Sequence, residues 1–263
     1  MTRAGFRSLS VSLNRRHAFT LVEVLLSLGI IALLLAVALP TLGRAMSTAR
    51  SFRCQVAQRS VAFDFAVFAN DDLGPDRGND AALGNRFHLE TFQESQYGID
   101  EFWRYGEVAV HELPDDQNND PMRCAEVAAP IRLRRDKPCA SGGVTPATAV
   151  SFGFNTRLHR RLETGPDGVR LEAVLLNSSI LEWGMVPLFW DVDGAVAASR
   201  SVNPVFSAPP LADSADAWSD GASWFPAARH NSGTNVAFID GHVESAQTPL
   251  DRAGWLWAPP TLK

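Results

Sequence analysis

Residues 19–40 read FTLVEVLLSLGIIALLLAVALP, and between Leu21 and Leu39 the only charged side chain is Glu23. A hydrocarbon core of about 30 Å takes roughly 20 helical residues to cross, so this run is long enough to span one. Its Leu, Ile, Val and Ala are good or tolerable helix formers, and Pro40 falls where the apolar run ends. Upstream, residues 1–18 hold Arg3, Arg7, Arg15, Arg16 and His17 and no acid. The positive-inside rule therefore predicts residues 1–18 in the cytoplasm and the bulk of the chain outside.

A basic leader before an apolar run also describes a cleaved secretory signal. Two features argue against it. Leu39-Pro40-Thr41-Leu42 offers no small-residue cleavage site, and such a signal seldom carries an acid early in its apolar stretch. Glu23 sits near the cytoplasmic edge of the span, where a carboxylate costs less than the few kcal/mol of the bilayer centre. A twin-arginine export signal fits worse, because His17 and Ala18 follow Arg15-Arg16.

Beyond Pro40, residues Leu42, Ala45, Ala49, Phe52, Val56, Phe63 and Val67 recur at helical steps, with Arg44, Arg50, Arg53 and Arg59 elsewhere. This predicts an amphipathic helical half over 41–70, stopped by Asp71-Asp72-Leu73-Gly74-Pro75 and lying against a globular domain. A single helix from Phe19 to Asn70 would be about 78 Å long, and Pro40 is where it would kink.

The whole chain of 263 residues has a net charge of −5. Without the four leader arginines, 20 basic residues face 29 acidic ones, a net of −9. That balance argues against a general nucleic-acid coat protein. Three cysteines are too few for a disulfide scaffold.

Residues 71–263 read as a globular α+β head. Strand-like runs are Glu107–His111, Val150–Phe154, Val169–Leu175, Val186–Trp190 and Asn235–Ile239. A C-terminal hairpin over 234–246 is predicted to turn at Asp240-Gly241 in type I′ geometry, with Ile239 opposite His242. That register puts Val236, Phe238 and Val243 on one buried face. The fold class is α+β: a long N-terminal helix, part transmembrane and part amphipathic, packed on a mainly antiparallel β head.

No catalytic set emerges. His230, Asp240 and His242 could in principle bind zinc or exchange protons, but no nucleophile, HExxH or phosphate loop accompanies them. The preferred reading is structural, with His230 hydrogen-bonding across the hairpin and Asp240-Gly241 making the turn. No metal or other cofactor is assigned. Asp191 and Asp193, in Asp191-Val192-Asp193-Gly194, are the weak calcium candidates; the stretch lacks the third acid and terminal Glu of a calcium loop. Asp213, Asp216 and Asp220 read as a solvated loop. Cys124 and Cys139 bracket a basic stretch, and an extracytoplasmic location permits a bridge between them, leaving Cys54 unpaired; spacing alone does not establish it. The basic residues Arg132, Arg134, Arg135 and Lys137, with Arg157, His159, Arg160 and Arg161 further on, could face an acidic partner or DNA, and an exposed loop is the preferred reading. Trp183, Trp190, Trp218, Trp224, Trp255 and Trp257 fit core or filament packing as readily as glycan binding.

The segment RRHA-FTLVEVLLSLGIIALL resembles the class III signal of type IV pilins and type II secretion pseudopilins. The resemblance implies cleavage by prepilin peptidase between Ala18 and Phe19, N-methylation of Phe19, and a role for Glu23 in pairing with a neighbouring subunit's N-terminal amine during assembly. Ala18 departs from the family pattern, where Gly usually precedes the cut. His230, nine intervening residues and Asp240-Gly241 resemble the H-x9-D-G element of a group of prepilin-like proteins. Phe52-Arg53-Cys54-Gln55, Ser151-Phe152-Gly153-Phe154-Asn155 and Pro187-Leu188-Phe189-Trp190-Asp191 are similar to other segments of that group.

The resemblance implies a structural subunit, not an enzyme, of a pseudopilus or pilus-like filament. Its implied partners are the prepilin peptidase/methyltransferase, other pilin-like subunits, an inner-membrane assembly platform, and membrane lipid before assembly. Its implied location is the inner membrane, single-pass, with the head periplasmic. The competing expectation is a membrane-tethered minor pilin or surface module that binds a secreted substrate, glycan or DNA.

Overall fold

The computed structural model describes residues 20–70, 83–97, 124–127, 150–165, 168–211, 217–230 and 232–258. The predicted strand Glu107–His111, together with Ala18, Phe19 and Cys139, lies outside them. The chain divides into two compact units, residues 1–46 and 47–263, and the division falls within the first helix, α1 (Leu21–Ala69).

In the first unit α1 is apolar on every side, and its leucines, isoleucines and valines are exposed from Leu21 to Leu42. A helix apolar all round suits a hydrocarbon environment. Pro40 lies inside α1 without ending it. Immediately after it, the Thr41 hydroxyl donates to the carbonyl of Ala38 at 2.8 Å, which hides its polar group in the helix itself.

The second unit is an α+β head. It contains the rest of α1, then α2 (Leu89–Tyr97), β1 (Phe152–Asn155), β2 (Arg160–Gly165), β3 (Gly168–Ala173), β4 (Pro187–Asp191), α3 (Gly194–Ser199), β5 (Phe206–Ser207), β6 (Thr234–Phe238) and β7 (Val243–Ala246). Five strands form one sheet in the order β5-β1-β4-β6-β7. Every pairing in it is antiparallel except β1 with β5. β2 and β3 form a separate hairpin, Arg160 opposite Ala173 through Gly165 opposite Gly168. β3 was expected from the sequence; β2 was not.

Both faces of the main sheet are buried, each in its own apolar layer. On one side lie Val61, Ala62, Phe65 and Phe68 of α1, with Phe87, Leu89, Phe92, Phe154, Phe189 and Ala237. Phe65 and Phe68 pack edge-on against Phe92 and Phe87, with centroids 5.2 Å apart in each pair. On the other side Trp190, Val236 and Phe238 meet Phe225, Trp255 and Trp257. This explains the continuous burial of β4 and β6, because two-sided strands read as apolar runs and not as alternations. A bulge between Pro187 and Phe189 resets the phase of β4 and lets Leu188 and Phe189 both join the helix-side layer.

Gly153 faces Trp190 across β1 and β4. A Cβ there would lie 2.6 Å from Val192 Cγ1 and 3.0 Å from the Pro204 carbonyl, so only glycine admits this close approach. Asn155 pins three segments, donating to the carbonyls of Pro187 and Trp257 and accepting from the Arg157 amide.

Two sequence expectations are corrected by the packing. The α1 stripe through Phe52, Val56 and Phe63 faces outward, at 65, 50 and 63% exposure. The face that packs on the head carries Cys54, Gln58, Val61, Ala62, Phe65, Phe68 and Ala69, on the opposite side of the helix. The α1 head segment is thus apolar on two faces, and the inward one is partly hidden in the sequence by Gln58.

The hairpin register is the second. Phe238, not Ile239, stands opposite His242: the Phe238 amide donates to the His242 carbonyl, and the Gly241 amide to the Phe238 carbonyl. Gly241 has φ +90°, and Asp240 is not among the positive-φ residues. The loop is therefore a type I turn closed by a glycine bulge, not a type I′ turn. The slip places Val243 opposite Ala237, on the helix-side layer, while Val236 and Phe238 join the tryptophan side.

Candidate functional site

α1 begins with a reciprocal cap. Glu23 Oε2 accepts from both the amide and the hydroxyl of Thr20 at 2.8 Å, and the Glu23 amide donates back to Thr20 Oγ1 at 3.3 Å. Thr-x-x-Glu is a capping box, which satisfies amides that a helix start leaves without partners. The cap was legible in the Thr20 and Glu23 spacing, yet the sequence reading weighed Glu23 as a membrane carboxylate and as an assembly contact, not as a cap.

The second site lies inside the head, where α1, the loop at Cys124, the end of β4 and the start of β6 converge. Its centre is Asp191, fully buried on the helix side of the sheet. Gln58 Nε2 of α1 donates to Asp191 Oδ1 at 3.2 Å, and the Asn235 amide donates to Oδ2 at 3.0 Å. His230 Nε2 lies 3.3 Å from Oδ2, and the Arg229 guanidinium 3.8 Å from Oδ1. A buried carboxylate needs such partners, since uncompensated charge in the core costs several kcal/mol.

Arg229 also donates to the carbonyls of Ser151 and Val192. Burial lowers its pKa from the ordinary arginine value, against the pull of Asp191, Asp193 and Glu126. An arginine stays protonated through such a shift, so it neutralises Asp191.

A tight turn aims His230 inward. The Gly233 amide donates to the His230 carbonyl at 2.8 Å, and Ser232 adopts φ +65°. Gly233 permits the turn to press on β7, because a Cβ would sit 2.7 Å from Ser245 Oγ. The imidazole is sealed, with Nδ1 3.7 Å from Glu126 Oε2 and Nε2 3.5 Å from Cys124 Sγ. His230 therefore reaches to β4 and the Cys124 loop, not across the 234–246 hairpin as expected.

Cys124 is bonded to Cys54, with Cα atoms 5.0 Å apart. This corrects the Cys124–Cys139 pairing. Cys54 lies on the inward face of α1, where the Cys124 loop crosses it and the Ala125 amide donates to its sulfur at 3.1 Å. The bond ties α1 to a loop 70 residues away in sequence.

The remaining sequence candidates are placed apart from one another. Asp193 caps α3, accepting from the amides of Ala195 and Val196. Asp191 and Asp193, the calcium pair, thus serve different partners. Asp240 is exposed at the hairpin tip and contacts His242, whose ring stacks on Phe238 at 4.1 Å. The two ends of the H-x9-D-G spacing accordingly make separate sets of contacts. Sequence reasoning missed Gln58, Glu126, Arg229 and Asn235; no local motif marks them, because they meet only in the folded sheet.

Residues 13–39 match the family model described as the prokaryotic N-terminal methylation motif. No curated protein and no solved structure matches the chain. The long apolar helix and the mostly antiparallel head have an α+β pilin-like architecture. The motif match supports a type IV pilin-like substrate of prepilin peptidase, and with it a structural subunit more than an enzyme. The apolar first half of α1 is consistent with membrane anchoring.

Proposed function

We propose that the chain is a structural subunit of a type II secretion-like pseudopilus or type IV pilus-like filament. In this reading residues 1–18 are a cytoplasmic leader, 19–40 span the inner membrane, 41–70 continue the helix, and 71–263 form the external head. Prepilin peptidase cuts between Ala18 and Phe19 and methylates Phe19. The subunit then leaves the membrane for the filament, guided by Glu23. The observation that carries the reading, beside the motif match, is the outward face of α1. Phe52, Val56 and Phe63 stay exposed although the opposite face of the same helix is fully packed. An apolar stripe of this kind marks an interaction surface, and neighbouring helices in a filament would cover it.

Mass spectrometry of the mature N-terminus tests the processing step. N-methyl-Phe19 is expected; an intact Met1 or a cut near residue 40 overturns the reading. Cysteine cross-linking between α1 positions of neighbouring subunits tests assembly. Cross-links confined to a head-only contact with a secreted protein or glycan would favour a tethered binding module.

A further inference from the structure

The atoms that form the disulfide sit in a ligand set for a metal ion. Cys54 Sγ, Cys124 Sγ and His230 Nε2 all lie within 4.8 Å of one another, and all three residues are buried. A tetrahedral zinc with bonds of about 2.3 Å to sulfur and about 2.0–2.1 Å to nitrogen or oxygen has sulfur–nitrogen edges of about 3.6 Å and nitrogen–oxygen edges of about 3.4 Å. The corresponding distances here are 3.5 Å from Cys124 Sγ to His230 Nε2 and 3.3 Å from His230 Nε2 to Asp191 Oδ2. Two edges of a tetrahedron built from both sulfurs, the imidazole and the carboxylate already stand at their ligated lengths. Among the described residues the set within 4.8 Å of one another is Cys54, Cys124 and His230, so the two sulfurs must separate and the carboxylate must close on them to complete the tetrahedron.

The surroundings match what metal ligands require. A ligating histidine usually offers its second nitrogen to a carboxylate. His230 Nδ1 makes no hydrogen bond among the described residues, and Glu126 Oε2, 3.7 Å away, is the carboxylate that would receive it in a loaded site. The carboxylate that would ligate is held by Gln58 and the Asn235 amide, and the Cys54 sulfur accepts the Ala125 amide. Reduction adds two thiolate charges and a divalent ion adds two positive ones, so loading leaves the net charge of the site as it is in the oxidised head.

We propose that Cys54, Cys124, His230 and Asp191 form a thiol-gated site for a zinc-class divalent cation. In the reduced head the two thiolates, the imidazole Nε2 and one carboxylate oxygen enclose the ion. In the oxidised head the same sulfurs form the bridge and the ion leaves. Release transfers two electrons from the thiolates to a disulfide oxidant, forms the Cys54–Cys124 bond, and frees the cation. The oxidant's own S–S bond breaks, and it departs as two thiols after taking up two protons. Reduction by a dithiol runs the sequence backwards. The head would thus exchange one staple for another with the redox state of its surroundings.

The test uses the full chain in detergent, reduced with a phosphine under argon and titrated with Co²⁺. One equivalent is expected to bind with thiolate-to-cobalt charge transfer and the visible bands of a tetrahedral ion, and Zn²⁺ is expected to displace it. The oxidised chain is expected to take up none. Cys54→Ser, Cys124→Ser and His230→Ala are each expected to remove the tetrahedral signature. Glu126→Gln keeps all four ligands and is expected to weaken binding about 10-fold. Tryptophan fluorescence follows the fold throughout, and a reduced chain that unfolds but refolds with Co²⁺ also supports the site. A reduced chain that neither binds nor refolds with Co²⁺ overturns the proposal. So does uptake without thiolate charge transfer, or equal uptake by the oxidised chain.

Discussion

His230 Nε2 stands 3.3 Å from Asp191 Oδ2, and both side chains are buried. The loop before β6 is thereby fixed to the end of β4 through a carboxylate that also holds Gln58 of α1 and the Asn235 amide. Removing the carboxylate leaves the half-buried Arg229 without its nearest counter-charge. Asp191→Ala is expected to cost about 3–5 kcal/mol of head stability, in the range for breaking a buried pair from one side. Asp191→Asn keeps an acceptor for the amide and is expected to cost less. Urea unfolding followed by tryptophan fluorescence measures both, and a loss under about 1 kcal/mol for the alanine variant would contradict the central role given to Asp191.

The Cys54–Cys124 bond closes a chain segment of 70 residues. In the chain-entropy account such a loop is worth about 4 kcal/mol in the oxidised protein. Cys54→Ser and Cys124→Ser are each expected to lose most of that in urea unfolding, and Cys139→Ser to lose almost nothing. Non-reducing peptide mapping checks the pairing directly, and a peptide joining residues 124 and 139 would refute it.

α1 carries neighbouring phenylalanines with opposite duties. Phe65 is sealed against Phe92, whereas Phe63 is 63% exposed. Phe65→Ala is expected to cost about 3–5 kcal/mol, as for other buried aromatic truncations. Phe63→Ser, on the surface, is expected to change stability by no more than about 0.5 kcal/mol. If neighbouring subunits cover the outward face, only Phe63→Ser among folded variants lowers cross-linking between subunits. Unchanged cross-linking in a Phe52→Ser/Phe63→Ser double variant would count against that surface.

These elements show which parts of the structure are local and which are not. The helix over 21–69 was legible because its apolar density and the breaker after Asn70 act along a few turns of chain. The strands near 152, 187 and 234 were legible as apolar runs. The inward face of α1 was not, because its burial depends on the sheet beneath, and Phe52, Val56 and Phe63 give the stronger periodic signal. The hairpin was found, but its register turned on whether one or two residues take positive φ, a choice that Asp240-Gly241 leaves open. The polar centre was legible only in fragments: His230 and Asp191 attracted notice separately, and a pairing between a strand end and a distant loop has no sequence signature. Cys54 was set aside for the same reason, since its partner arrives from far along the chain.

His159 provides a pH signature for the head. Burial first, and then Arg160, lower its pKa from 6.5 to about 4, against the opposing pull of Glu90. The ring stacks on Phe206 at 4.2 Å. A histidine whose folded pKa lies below its unfolded value binds more protons when unfolded, so acidification through that window favours unfolding. Stability is expected to fall between pH 6.5 and about 4, by on the order of 3 kcal/mol for this group. His159→Phe retains a ring against Phe206 without a titrating nitrogen. Its stability curve is expected to be flatter in that window, and parallel curves for the two proteins would remove His159 as the cause.

The carboxylate of Glu23 has two candidate duties, and the capping box makes them separable. Within its own chain it accepts from Thr20 at the start of α1; in the proposed filament it meets a neighbour's N-terminal amine. Gln serves a capping box nearly as well as Glu, so Glu23→Gln keeps the cap and removes the charge. Thr20→Ala removes the side-chain half of the cap, costs about 1 kcal/mol, and leaves the carboxylate in place. If charge pairing governs assembly, Glu23→Gln is expected to insert and to be cut normally yet to yield few subunit cross-links, while Thr20→Ala assembles. If the cap governs assembly, the outcomes reverse: Thr20→Ala fails and Glu23→Gln succeeds. Measuring N-terminal processing and subunit cross-linking on the same two variants decides between them, because a defect in processing would show up before assembly is reached.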